Sequence, residues 1–226
     1  MINMKNTLLA LLLSCSFGAS AQVGEWDTDD NYVPEINPKH AFNAEVRIPI
    51  TVQNPAYKRM IKDMIDASAS YTYYFPFHMT VGAGFRMMYN VINVTQVEPG
   101  LTGRLGTLGP YLKIGYEKFV SERMALEGAI RFGGVFNSFV TSKNKELNGA
   151  SYKNSSLYIE PNVSLILSAS ENTSFRLNIG YAIYGYKFKP YHLGSVSQGN
   201  WTADELNRNL QSLNIGFGFT YYFGQY

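Results

Sequence analysis

The feature that most constrains this chain is a two-residue rhythm, clearest at its end. From Leu213 to Phe223 the odd positions are Leu213, Ile215, Phe217, Phe219, Tyr221 and Phe223, and the even ones Asn214, Gly216, Gly218, Thr220 and Tyr222. Strand side chains point alternately to opposite faces, so this segment has one greasy face and one small or polar face. The pattern recurs upstream, where Phe175, Leu177, Ile179, Tyr181 and Ile183 alternate with Arg176, Asn178, Gly180, Ala182 and Tyr184. It recurs again for Leu157, Ile159, Val163, Leu165 and Leu167 against Tyr158, Glu160, Asn162 and Ser164. After residue 40 there is almost no helical period, and the chain is predicted to be all-β.

The alternating segments predict eight strands, near 41–52, 67–75, 79–91, 109–120, 124–139, 155–168, 174–188 and 211–223. Their connectors alternate in length. Tight turns are expected around Pro76-Phe77-His78, Ser121-Glu122-Arg123 and Ser170-Glu171-Asn172-Thr173, and long ones at 53–66, 92–108, 140–154 and 189–210. Two long connectors have local helical character. Tyr57 to Asp66 mixes Met60, Ile61, Met64 and Ile65 with charges, and Thr202-Ala203-Asp204-Glu205 reads as a capping box.

Which face is buried decides between a soluble and a membrane barrel. The apolar face, with Val46, Ile48, Ile50, Val81, Phe85, Leu112, Ile114, Ile130 and Phe132, has no charge in the middle of a strand. Lipid demands this, because Arg or Lys at the bilayer midplane costs about 2–4 kcal/mol. The other face, with Gly82, Gly84, Gly115, Gly180, Gly216 and Gly218, is a poor coat for water but suits a crowded interior. Aromatics at strand ends read as two interfacial girdles: Tyr71, Tyr73, Phe75, Phe119, Tyr221 and Phe223 low, and Tyr89, Tyr111, Phe139 and Tyr186 high. The expected fold is a closed antiparallel up-and-down transmembrane β-barrel of about eight strands, in which closure satisfies every backbone donor and acceptor. Short turns on one side and long loops on the other suggest periplasmic turns and extracellular loops, with both termini periplasmic.

Residues 1–21 read as a signal peptide: Lys5, an apolar run from Thr7 to Leu13, and Ala19-Ser20-Ala21 before Gln22. The alternative is acylation at Cys15 after Leu12-Leu13-Ser14, as in lipoproteins. Cleavage before Gln22 would leave no cysteine, which excludes disulfides and thiolate catalysis. It would also lower the formal charge from +2 to about +1 by removing Lys5, so no nucleic-acid partner is indicated. Residues 22–39, with Glu25, Asp27, Asp29, Asp30 and Glu35 against Lys39, read as an acidic periplasmic tail, and 40–226 as the barrel. Asp27 to Asn31 offers oxygen ligands but lacks the register of a calcium loop. The 17 Tyr, 14 Phe and 20 Gly with only 16% charged residues fit a membrane barrel better than a soluble domain.

On these segments, the closing "LNIGFGFTYYF" and the loop asymmetry, the chain resembles the small OmpA-like outer-membrane barrels. Its Ala-Gln junction resembles those of Bacteroidota members. The resemblance implies a bacterial outer-membrane location, contact with outer-membrane lipid, and a last strand that the barrel assembly machinery reads through Phe219, Tyr221 and Phe223. It carries no catalytic motif, and no cofactor or metal is expected. Some small barrels resemble lipid A deacylases or acyltransferases with a rim His beside a Ser; His192 with Ser195 and Ser197 is the one match here, at an unconvincing spacing.

The most informative polar set lies on the inward face: Glu45, Arg47, Arg86, Lys113, Glu117, Glu127, Arg131, Glu160 and Arg176. Five cations and four anions in a narrow lumen are expected to pair, because isolated buried charges cost several kcal/mol each. Strand counting puts Glu45, Arg47, Glu117, Glu127 and Arg176 low, and Arg86, Lys113, Arg131 and Glu160 at mid-height. The expected function is a non-enzymatic barrel with a charge-plugged lumen, serving envelope structure, anchoring or surface interaction with an extracellular or periplasmic protein through its loops. The alternatives are a narrow channel for small or apolar solutes and, third, a lipid-modifying enzyme.

Overall fold

The computed structural model describes residues 38–225 apart from 96, 98, 122, 150, 171 and 195–200. The signal peptide, the acidic segment before residue 38, Ser195 and Ser197 lie outside the described residues. Eight strands among these residues close into one barrel in sequence order. They are β1 (Pro38–Gln53), β2 (Ile61–Tyr74), β3 (Met79–Ile92), β4 (Gly103–Ser121), β5 (Met124–Thr141), β6 (Tyr152–Ser170), β7 (Thr173–Tyr184) and β8 (Gln211–Gln225). Every neighbouring pair is antiparallel, and β1 closes on β8 with Phe42 opposite Tyr221 and Ile50 opposite Leu213.

The alternation in sequence becomes an inside and an outside. Ile48 and Leu112 are about half exposed (48% and 52%), whereas Arg47 and Lys113 beside them are each 1% exposed. The strands are longer than predicted at several ends: β4 begins at Gly103, and β1 at Pro38, within the expected tail. β7 is shorter and stops at Tyr184 instead of 188. At the tight turn after β2, the Phe75 N–H donates to the Met79 carbonyl at 2.9 Å, and His78 takes φ 65°. That left-handed conformation is what so short a reversal asks of one of its residues.

The long connectors carry three short helices, α1 (Pro55–Met60), α2 (Ser142–Asn148) and α3 (Ala203–Leu206), and a 3-10 turn at Pro190–Leu193. The capping box at Thr202 and Glu205 starts α3 as the sequence suggests. The helical reading of Tyr57 to Asp66 holds only as far as Met60. From Ile61 the chain is strand, with a register shift between Asp63 and Ile65. A bulge inserts one extra residue. The apolar pairs 60/61 and 64/65 thus imitate a helical spacing.

The connectors at 54–60 and 185–210 meet. Asn54, at φ 70°, accepts from the Tyr57 N–H at 2.9 Å, and its amide donates to the Phe188 and Arg208 carbonyls at 3.2 and 2.9 Å. On the opposite wall, the Thr141 hydroxyl caps α2 and donates to the Leu193 carbonyl at 2.8 Å, while the Asn144 amide donates to the His192 carbonyl at 2.9 Å. Beneath these contacts a buried apolar cluster includes Tyr57, Tyr111, Phe139, Tyr158, Tyr184 and Phe188. Three residues expected in the upper girdle, Tyr111, Phe139 and Tyr186, belong to this interior cluster, because each shares its strand's or connector's inward parity. The lower aromatics Tyr71, Tyr221 and Phe223 do face outward, beside His40, which shares a 2.6 Å hydrogen bond with the Tyr71 hydroxyl.

Candidate functional site

The described interior brings the inward charges together in two groups. The upper group lies toward the long connectors. Glu160 of β6 meets Arg47 of β1 in a short ion pair, Arg86 of β3 at 3.1 Å and Arg131 of β5 at 3.6 Å. It also accepts from the Asn214 amide of β8 at 3.0 Å. Arg131 pairs in turn with Glu45 of β1 at 2.7 Å. Asp66 of β2 completes the group: Arg47 reaches it at 2.8 Å, and Arg86 grips it in a fork, Nε at 3.0 Å and Nη2 at 2.8 Å. Two parallel bonds from one guanidinium fix orientation as well as charge.

The lower group centres on Arg176 of β7, which meets Glu127 of β5 in a short ion pair and Glu117 of β4 at 3.3 Å. Lys113 of β4 reaches Glu127 at 2.5 Å. Glu117 also accepts from Tyr74 at 3.0 Å and Tyr222 at 2.8 Å, and those two rings, with Ala41 and Phe119, form a small apolar floor. Arg176 spends its Nε on the Thr220 hydroxyl at 3.2 Å.

Every charged residue of the two groups is nearly inaccessible, the most exposed being Glu45 at 4%. Glycine makes the room. A β-carbon on Gly216 would lie 2.6 Å from Arg47 Cγ, one on Gly218 2.8 Å from Glu45 Cγ, and one on Gly180 3.0 Å from Glu160 Oε1. Aromatic rings close the upper group from above, with the Arg86 guanidinium 5.3 Å from the Tyr158 ring centre and Arg131 5.5 Å from that of Tyr111. Such faces attract cations most strongly where water is excluded.

Asp66 is missing from the inward set that the sequence predicts, because it falls in the connector expected at 53–66, whereas it lies within β2. With it, Arg47, Arg86 and Arg131 face Glu45, Asp66 and Glu160, and Lys113 and Arg176 face Glu117 and Glu127. Each group is thus formally neutral. The signal was present: Ser68, Ser70 and Thr72 alternate inward on β2, and one more step back is Asp66. The partition by height also changes. Glu45 and Arg47 join the upper group and Lys113 the lower, because strands tilted by about 35–45° put equal residue counts at different levels and long side chains span the difference.

His192 is buried in the 3-10 turn, stacked on Tyr152 with ring centroids 4.8 Å apart. Its Nδ1 accepts from the Lys189 N–H at 3.2 Å. Burial, aided by the Lys189 charge, pushes its pKa down to about 4. A neutral ring wedged among aromatics is a packing element of the cap rather than an open rim group. No cluster of three or more metal-ligating side chains occurs among the described residues.

Among solved structures the chain is similar to Neisserial surface protein A, at TM-score 0.53 and 11% identity, covering 82% of this chain and 97% of that one. The chain has the fold of the small eight-stranded outer-membrane barrels. The barrel also matches the Ail protein of Yersinia pestis at TM-score 0.44 and 12% identity, covering 82% of this chain and 99% of that one. For outer membrane protein OprG of Pseudomonas aeruginosa the values are 0.43 and 13%, over 83% and 98%. No family model and no curated protein matches. At such identities the likeness is one of fold.

Proposed function

We propose that this chain is a non-enzymatic barrel of the bacterial outer membrane, closed along its axis, that serves envelope structure, anchoring or surface interaction through its long connectors. The observation that carries this reading is the filling of the interior: two neutral groups of ion pairs that reach across the barrel, under a cap of aromatic side chains. An eight-stranded barrel is only wide enough for side chains to fill it. The outward apolar belt supports the membrane location, since patches this large on a protein surface mark contact with lipid or partners. The length difference between connectors supports extracellular loops and periplasmic termini.

In this reading α1, α2 and α3 form the surface offered to a protein partner. Phe219, Tyr221 and Phe223, all outward on β8, are the side chains offered to the barrel assembly machinery. Purified protein in planar bilayers tests the closed lumen. Little steady conductance is the expected result, and stable single-channel currents would replace this reading by the channel.

A further inference from the structure

The outward face is charge-free through most of its height, but Lys62, Arg104 and Lys153 break the rule at the long-connector end. Each is exposed and stands second in its strand, Lys62 on β2, Arg104 on β4 and Lys153 on β6. Arg104 and Lys153 stand on the strands of one hollow, β3 to β6, and neither forms an ion pair among the described residues. Below Arg104 and beside Lys153 the surface is concave. The strand register sets Tyr89, Gly106, Ser138 and Lys153 side by side on β3 to β6, so a glycine and a serine form a low floor between a tyrosine and a lysine. Met87, Leu108 and Phe136 line the next row, and the hollow measures about 810 Å³. A second hollow of about 620 Å³, floored by Ala44, Ala67 and Ala69, shares Met87 and Leu108 with the first. The two form a continuous apolar path down the belt.

We propose that this groove holds a phosphorylated lipid of the surrounding leaflet, its phosphate between Arg104 and Lys153 and an acyl chain along Met87 and Leu108. The inference rests on the membrane reading of the outward face. Charge decides the occupant. Arg104 and Lys153 lie two strand spacings apart and, because Lys153 is in register with Gly106, two residues apart along the strand, about 12 Å in all, and long side chains close that gap onto one phosphate. A second copy of this chain would have to bring its own acid to the same height, and the outward strand positions of β1 to β8 offer no Asp or Glu. A neutral lipid would fill the apolar path but leave both cations without a counter-charge.

The test uses the full chain, purified in detergent, with native mass spectrometry reading lipid retained from mixtures of phosphatidylglycerol and a neutral diacylglycerol of the same chains. The expected result is retention of phosphatidylglycerol over the neutral lipid by about thirtyfold, as two basic groups near a membrane surface would give. Arg104→Gln with Lys153→Gln should abolish the preference. Gly106→Leu should lower retention of both lipids, and it is sterically free because a β-carbon there meets no atom within 4 Å. Lys118→Gln, at the other end of β4 and also exposed, should change nothing. Equal retention of both lipids, a preference that survives the double variant, displacement by inorganic phosphate alone, or a dimer in place of the lipid would each overturn the proposal. Heat-modifiable gel migration, measured on every variant, reports the closed barrel. A barrel that enters vesicles but shows no preference defeats the lipid site alone, whereas a chain soluble without detergent defeats the membrane reading and the site with it.

Discussion

In the upper group of lumen charges a carboxylate holds the centre, Glu160 meeting Arg47, Arg86 and Arg131, whereas in the lower group the centre is a cation, Arg176 meeting Glu117 and Glu127. The difference lies in what surrounds each hub. Around Glu160 the charged partners are all arginines, whose positive charge only Asp66 and Glu45 offset. Around Arg176 there is a second cation, Lys113, and two tyrosine hydroxyls that also satisfy Glu117. Removing a hub therefore leaves three buried arginines with two acids above, but below leaves two acids still served by a lysine and two phenols. The upper group is the more brittle of the two, and it ties together strands β1, β2, β3, β5, β6 and β8.

The largest expected effect is at the upper hub. Glu160→Ala should lower stability by about 3–5 kcal/mol, the usual cost of removing one partner from a buried ion pair. Glu146→Ala, exposed on α2, should stay within about 0.5 kcal/mol. Thermal unfolding in detergent measures both, and equal effects would mean that the upper group carries no special weight. Arg176→Met should cost less, about 2–3 kcal/mol, because Lys113 and the tyrosines retain their contacts. A loss as large as that of Glu160→Ala would erase the asymmetry between the groups.

Much of this architecture is legible in sequence because a strand's period of two is strict: parity identifies every charge of the two lumen groups but one. The exception, Asp66, sits just beyond a bulge, where the period slips and Met60, Ile61, Met64 and Ile65 acquire a helical spacing. Parity also holds the information to place Tyr111 beside Lys113 inside the barrel, but an aromatic near a strand end carries the signature of a girdle residue as well. Which acid meets which base was not legible. It depends on strand tilt and on the reach of arginine across the axis, as the pairing of Arg47 with both Asp66 and Glu160 demonstrates. The short α2 escaped notice because its signals, Thr141 at the start and Gly149 at φ 63° after its end, lie in a connector without apolar periodicity.

The smallest expected effect concerns the cap, which extends the comparison to a third layer. His192 is held neutral, its pKa pushed down to about 4 by burial and Lys189. In the unfolded chain a histidine titrates near pH 6.5, so the unfolded state takes up a proton first as the pH falls. The contribution of His192 is thus complete above about pH 6.5 and is lost progressively toward pH 4. Near-ultraviolet circular dichroism should show aromatic packing loosening across that window while the strand signal persists. His192→Phe should flatten the change, and a signal constant down to pH 4.5 in the unaltered protein would contradict the assignment.

The account's central claim is that the lumen holds two separate neutral groups rather than one diffuse pool of charge. A pair of double-mutant cycles on thermal stability tests it most directly: Arg47→Gln with Glu160→Gln inside the upper group, and Arg176→Gln with Glu160→Gln between groups. The expected result is a coupling of about 1–3 kcal/mol in the first cycle and additivity within about 0.5 kcal/mol in the second. Equal coupling in both cycles, or additivity in both, would contradict it.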